Sequence, residues 1–248
     1  MNILYSIVGI LIPFIGTSLG SFFVFFLRKN INKKFHNLMI GFASGVMIAA
    51  SIWSLIMPSI ELATERGIIK WLPASVGLLS GVIFLIIINK ITNNINKKNM
   101  NMLMFSVTLH NIPEGMAVGV AFAGYLSGNV GIDLMAAYLL ALGIGIQNIP
   151  EGAIISMPLK IKGFSKKKSF LYGIISGIVE LVSAIITIIL LNLVVPLLPY
   201  LLSLAAGAMI YVVVEELIPE MQENKSILGI IGVTLGFILM MILDVMLG

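Results

Sequence analysis

Eight runs of apolar residues alternate along the chain with short polar stretches where lysine and asparagine gather. Their cores are 3–27, 37–59, 72–92, 101–126, 133–158, 169–192, 197–218 and 227–247. A helix rises ~1.5 Å per residue, so each run can cross a hydrocarbon core of ~30 Å. The pattern predicts an all-α integral membrane protein of eight transmembrane helices. No stretch is left over for a soluble module, so residues 1–248 read as one transmembrane domain. The first run does not read as a cleaved signal. It lacks a basic start, is too long, and ends in Arg28-Lys29 without a small-residue cleavage site.

The cations orient the runs. The loops after segments one, three, five and seven carry thirteen lysines and arginines, against two, Arg66 and Lys70, on the other face. The positive-inside rule puts the lysine-rich loops in the cytoplasm and both termini outside. Because every alternate loop agrees, the count of eight is supported independently of hydropathy.

Two repeats run through this frame. His110-Asn111-Ile112-Pro113-Glu114-Gly115 in segment four is nearly copied by Gln147-Asn148-Ile149-Pro150-Glu151-Gly152 in segment five. Gly45-Val46-Met47-Ile48 followed by Pro58 in segment two is echoed by Gly207-Ala208-Met209-Ile210 followed by Pro219 in segment seven. Both pairs lie in oppositely directed segments, the mark of an inverted-repeat transporter with its site near the midplane. A charge at the centre of a membrane helix costs roughly 3 kcal/mol or more, so an acid held there signals function. Each proline lacks an N–H and clashes with the carbonyl four residues back, which predicts breaks freeing Leu109 O and Ile146 O toward a polar cavity.

Composition closes off other classes. Charged residues make up 10% and apolar residues 59%, too few charges to cover a water-facing surface. No cysteine is present, so thiolate metal sites are excluded. The net charge of +4 lies in short loops and gives no reason to expect nucleic acid.

Counted from the cytoplasmic face, Met47, His110, Gln147 and Glu180 lie nine to eleven residues deep. At ~1.5 Å per residue that is about 15 Å, the middle of the bilayer. His110 and Glu114 share a helix face at i, i+4, as do Gln147 and Glu151, while Asn111 and Asn148 point about 100° round toward neighbouring positions. Imidazole, carboxylate, amide oxygen and thioether together suit a divalent transition metal. Glu114, Glu151 and Glu180 would supply up to three negative charges, which one or two such ions would mostly neutralise. Exchange of metal for protons fits this set, and so does a proton or alkali-cation pathway. A metalloenzyme is disfavoured, since no His-Glu-x-x-His phrase or nucleophile with a base is present.

At the paired Asn-Ile-Pro-Glu-Gly phrases the chain resembles the Zrt-, Irt-like protein (ZIP) family of divalent-metal transporters, in its prokaryotic branch. The resemblance covers essentially the whole length. It implies a 3+2+3 helix arrangement and uptake of zinc, or of iron, manganese or cadmium, across the plasma membrane into the cytoplasm. It further implies a homodimer, with no separate cofactor. His110, Glu114, Gln147 and Glu151, with Met47 beside them, would form a primary site. Asn111, Asn148, Glu151 and Glu180 would form a second site bridged by Glu151. Family members with two metals often have aspartate where this chain has Asn148. Glu215 and Glu216, where the family often has a histidine before its glutamate, would receive metal on exit.

The remaining polar residues read more plainly. His36, among lysines, is expected to be solvated, and Asp244 to be solvated at the outer end of segment eight. Asp133 reads as a first-turn acid favoured by the helix dipole. Trp53 and Trp71 fit an outer interfacial belt. The Ile-, Asn- and Lys-rich composition suggests a prokaryotic source.

Overall fold

The computed structural model describes residues 2–26, 33–95, 101–128, 133–161, 163–222 and 227–247. These form eight helical spans, with no strand among the described residues. The first, α1, is Asn2–Phe22, extended by a 3-10 turn over Phe23–Phe25. The second, α2, is Lys33–Ala50, a π-helical stretch Ser51–Ile56 and a last α-helical part Met57–Glu65. Next come α3 (Trp71–Ile95), α4 (Asn101–Ser127), α5 (Leu134–Ile161) and α6 (Lys166–Ile189). The seventh, α7, is Leu191–Val212, a π-helical stretch Val213–Leu217 and Ile218–Gln222. The chain closes with α8 (Ile227–Leu247). In lipid, backbone polar groups must be satisfied within a segment, which leaves helices as the default for such apolar runs. Ser165 caps α6 by accepting from Lys168 N, and Asp133 caps α5 by accepting from Ala136 N at 2.7 Å.

The apolar runs anticipate six of the eight helices closely. The exceptions are α2, which continues to Glu65, and α7, which reaches from Leu191 to Gln222. Glu61 and Glu65 end the apolar run but point outward, so the helix carries on past it.

Both long helices hold a π turn just before a proline. Met57 N–H bonds back to Ile52 O, and Ile218 N–H to Val213 O, each skipping one residue more than an α-helix would. Pro58 and Pro219 follow directly. A proline ring collides with the carbonyl four residues back, and widening the turn moves that carbonyl aside. The breaks expected at Pro113 and Pro150 are absent, since α4 and α5 run through both as α-helix. A neighbouring helix supports the backbone there. The Ser183 hydroxyl of α6 donates to Ile112 O at 2.8 Å, one residue before Pro113.

The helices pack as an inverted repeat. The most extensive packing pairs α2 with α8, α3 with α7, α1 with α5 and α4 with α6. Exchanging α1 with α6, α2 with α7, α3 with α8 and α4 with α5 maps this set of pairs onto itself. In chain order the central pair α4 and α5 thus stands between two three-helix groups, a 3+2+3 arrangement, while the packing itself pairs helices across the groups.

Two ties hold α2 to α7, one at each end. At one end the His36 Nε2 to Glu220 Oε1 distance is 3.0 Å, and Asn37 Nδ2 donates to Met221 O at 3.0 Å. At the other, Ser59 Oγ donates to Pro199 O at 2.7 Å, and Arg66 donates to the Pro196 and Val195 carbonyls. His36 is therefore paired rather than freely solvated, because packing brings the end of α7 against the start of α2. Glu220 remains well exposed, so the pair is screened by water, and we expect His36→Ala to lower stability by about 1 kcal/mol or less. Thermal unfolding in detergent checks this. Asp244 also departs from expectation, for its Oδ1 accepts from Ser54 Oγ at 2.8 Å. Trp53 packs edge-on against Phe237, whereas Trp71 stands exposed as a belt residue would.

Candidate metal centre

The twin phrases of α4 and α5 meet at the centre of the bundle. Glycine makes the approach possible. A Cβ on Gly115 would lie 2.1 Å from Glu180 O of α6, and one on Gly152 would lie 2.1 Å from Thr17 O of α1. Each phrase thus seats its glycine on the backbone of the helix flanking it, and the neighbouring polar side chains are carried inward together.

Four of the predicted residues, Asn111, Glu114, Gln147 and Asn148, are at most 1% exposed, and Glu180 is 2% exposed. Gln147 Nε2 donates to Glu114 Oε1 at 2.6 Å, joining α5 to α4. Glu180 Oε1 accepts from Asn111 Nδ2 at 2.7 Å and from Thr17 Oγ1 at 2.7 Å. Its Oε2 accepts from Asn148 Nδ2 at 2.7 Å. Glu151 is only partly buried, and its charge is felt by both Glu114 and Glu180. The side chain of His110 lies outside the described residues.

Both amides of the phrases also reach backbone carbonyls. Asn111 Nδ2 meets Ser176 O at 3.0 Å on α6, and Asn148 Nδ2 meets Pro13 O at 3.4 Å on α1. These contacts are mates under the helix exchange that relates α1 to α6 and α4 to α5. Thr17 and Glu180 are mates as well. The pseudo-symmetry therefore runs through the centre, and it is broken where one repeat carries an acid and the other a hydroxyl.

A carboxylate only accepts, so each amide turns its nitrogen to a glutamate and its oxygen away. The consequence is a set of buried oxygens for which no described group donates: Asn111 Oδ1, Glu114 Oε2, Gln147 Oε1 and Asn148 Oδ1. Nearly all buried acceptors in folded proteins are paired, so several at one place mark a missing partner. A cation satisfies oxygen lone pairs of this kind. Among the described residues no three of His, Asp or Glu stand close enough to hold an ion by themselves. Amide oxygens are therefore needed beside the carboxylates to complete a ligand set among the described residues.

Met47, 2% exposed, belongs to the buried apolar core on α2, a helix that packs against α5. Glu215 and Glu216 stand in the π turn of α7, the first exposed and the second half-buried. Thr17 is the participant that the sequence reading missed. Its signal was faint, a hydroxyl one turn after Pro13 in an otherwise apolar segment, and only the mapping of α1 onto α6 sets it opposite Glu180.

Comparison with known proteins bears on this arrangement. A family model described as ZIP Zinc transporter matches residues 98–244. That stretch includes both phrases and more than half of the chain. The chain belongs to the ZIP family. A ZIP relative from Xenopus tropicalis, Zinc transporter ZIP11, is 32% identical over 99% of this chain and 98% of its own length. The ZIP relative Zinc transporter ZIPB of Bordetella bronchiseptica is 31% identical over 98% of this chain and 82% of its own. Zinc transporter GufA of Myxococcus xanthus is 31% identical over 98% of this chain and 99% of its own. Bacterial and vertebrate members of the ZIP family are thus about equally similar. The relatives are named as transporters, and this ZIP chain is a membrane transporter rather than an enzyme.

Proposed function

We propose that this chain carries zinc across the plasma membrane into the cytoplasm, through a midplane site built on α4 and α5. The observation that carries the reading is the group of buried oxygens on Asn111, Glu114, Gln147 and Asn148 that meet no donor among the described residues. Carboxylate and amide oxygens, joined by the imidazole that the i, i+4 spacing of His110 and Glu114 leads us to expect, would make a donor set that suits zinc. Glu151, the only one of the three central acids that is partly exposed, is the ligand an arriving ion would meet first.

The lysine-rich loops place one end of the bundle in the cytoplasm, and uptake toward that end is the direction the family resemblance implies. The inverted repeat supplies the means. Two similar halves facing opposite ways allow the central site to open to each side in turn. Glu215 and Glu216, near the cytoplasmic end of α7, would take the ion as it leaves. Met47 lies in the buried core on α2, which packs against α5, and its thioether would join the ligand set as the family resemblance implies.

The test is zinc entry into proteoliposomes that hold the purified chain and a trapped fluorescent zinc indicator. We expect saturable entry that competing cadmium, iron and manganese reduce to differing degrees. Entry no faster than in protein-free vesicles would sink the reading. A crystal grown with zinc should show an anomalous peak between α4 and α5, and a peak only elsewhere would move the site.

A further inference from the structure

The Glu180 carboxylate differs from the other acids at the centre. We infer that Glu180 is a positioning residue rather than a ligand, and that this chain therefore holds a single divalent cation. The inference rests on the reading of α4 and α5 as the cation site, and it narrows that reading.

The first ground is that three of the four lone pairs of Glu180 are already engaged. Each carboxylate oxygen offers two in-plane lone pairs. On Glu180 Oε1, the Thr17 hydroxyl and the Asn111 amide take both, each at 2.7 Å. Asn148 takes one of the pair on Oε2, also at 2.7 Å. Three short donors satisfy the buried charge without an ion, as charge-assisted hydrogen bonds do. Glu114 has one described donor, Gln147, and an Oε2 that meets none.

The second ground is the direction of the amides. Because Glu180 only accepts, it draws the nitrogens of Asn111 and Asn148 toward itself and so turns Oδ1 of each the other way. A second ion lying between Glu180 and Asn148 would face an N–H₂ group, which repels it. An aspartate at 148 would instead present an oxygen and a charge.

Charge balance agrees. Glu180 keeps its charge, but its donors solvate it in place of an ion. Glu114 and Glu151 are the acids left to face a cation, and one doubly charged ion matches their two charges. A second ion would leave uncompensated positive charge in a buried centre. The symmetry gives a structural origin for the arrangement. In place of the acid's mate, α1 supplies Thr17, whose hydroxyl donates to Glu180 across the pseudo-twofold.

The experiment is equilibrium dialysis of the purified full chain against zinc, with bound metal counted by mass spectrometry. A Glu114→Ala, Glu151→Ala double variant sets the background, and elution on size exclusion monitors the fold. We expect one zinc per wild-type chain above background and two for Asn148→Asp. Two in the wild type would overturn the inference while leaving the site on α4 and α5 in place. None in the wild type would overturn that site as well. If Asn148→Asp still binds one, the amide is not what keeps a second ion out. Glu180→Ala should keep its one zinc with affinity about tenfold weaker, the scale of losing a partner that orients ligands. Glu180→Gln, which can still accept from one amide, should fall between. Loss of stoichiometric zinc in Glu180→Ala would make Glu180 a ligand and sink the proposal.

Discussion

Glu114→Ala should abolish zinc entry into proteoliposomes while the chain still elutes as a folded species. The reason lies in what one truncation removes. Glu114 is 1% exposed, its Oε1 accepts from Gln147 of the opposite helix at 2.6 Å, and its Oε2 meets no donor among the described residues. Alanine deletes a direct ligand and one of two negative charges facing the ion. It also leaves the Gln147 amide free to turn its nitrogen toward the site. Residues that merely orient ligands cost about 10- to 100-fold in affinity when lost, so a direct ligand should cost more than roughly 100-fold. The effect on folding should be much smaller, because the burial of a charged group is itself a cost that alanine lifts. Glu114→Gln separates the two roles. It keeps the shape and one oxygen but not the charge, and should restore stability more than transport. Transport near wild-type levels in Glu114→Ala would remove this acid from the mechanism.

The second large effect is expected at a residue with no chemistry at all. Gly152→Ala adds one carbon 2.1 Å from Thr17 O and 2.8 Å from Ser21 N, both backbone atoms of α1. Neither can move without shifting the whole helix. Overpacking of this kind costs about 3 kcal/mol or more where nothing yields. Gly143→Ala, on the same helix, is the control. Its added carbon would meet the Met240 side-chain tip at 2.4 Å, and a methionine end can swing away. Replacing glycine by alanine inside a helix also gains about 1 kcal/mol from lower backbone entropy, which should nearly offset that shift. Thermal unfolding in detergent should therefore show a large fall for Gly152→Ala and little change for Gly143→Ala. Gly152→Ala should also lose zinc entry, since α1 carries Thr17 against Glu180. Equal shifts for the two variants would mean that α1 and α5 are not packed backbone to backbone.

These two outcomes probe different layers of one design. The glycines set how closely α4 and α5 can approach α6 and α1, and that distance decides whether amides and carboxylates can reach one another. Asn111 and Asn148 illustrate the dependence. Each hydrogen-bonds Glu180 and also a backbone carbonyl of the flanking helix, so ligand direction and helix packing are set by the same contacts. A mutation that loosens the packing should therefore weaken metal binding without touching a ligand.

Much of this was legible from the order of residues. Hydropathy alone marks eight spans, because lipid demands helices of a certain length, and the lysines orient them because translocating positive charge is disfavoured. The twin phrases point to Asn111, Glu114, Gln147, Asn148 and Glu151, since acids in apolar helices have few reasons to be there. What the order of residues could not supply depends on which helices touch. Proline looks the same in every segment, yet Pro58 and Pro219 are preceded by π turns while α4 and α5 pass through Pro113 and Pro150 as α-helix. His36 looks solvated until the end of α7 is set beside it. Thr17 acquires a role only when α1 packs against α5 and α6, and the three hydrogen bonds that occupy Glu180 come from three different helices. Local pattern determines which groups are buried in the membrane; contact between distant segments decides which of them satisfy each other and which are left for an ion.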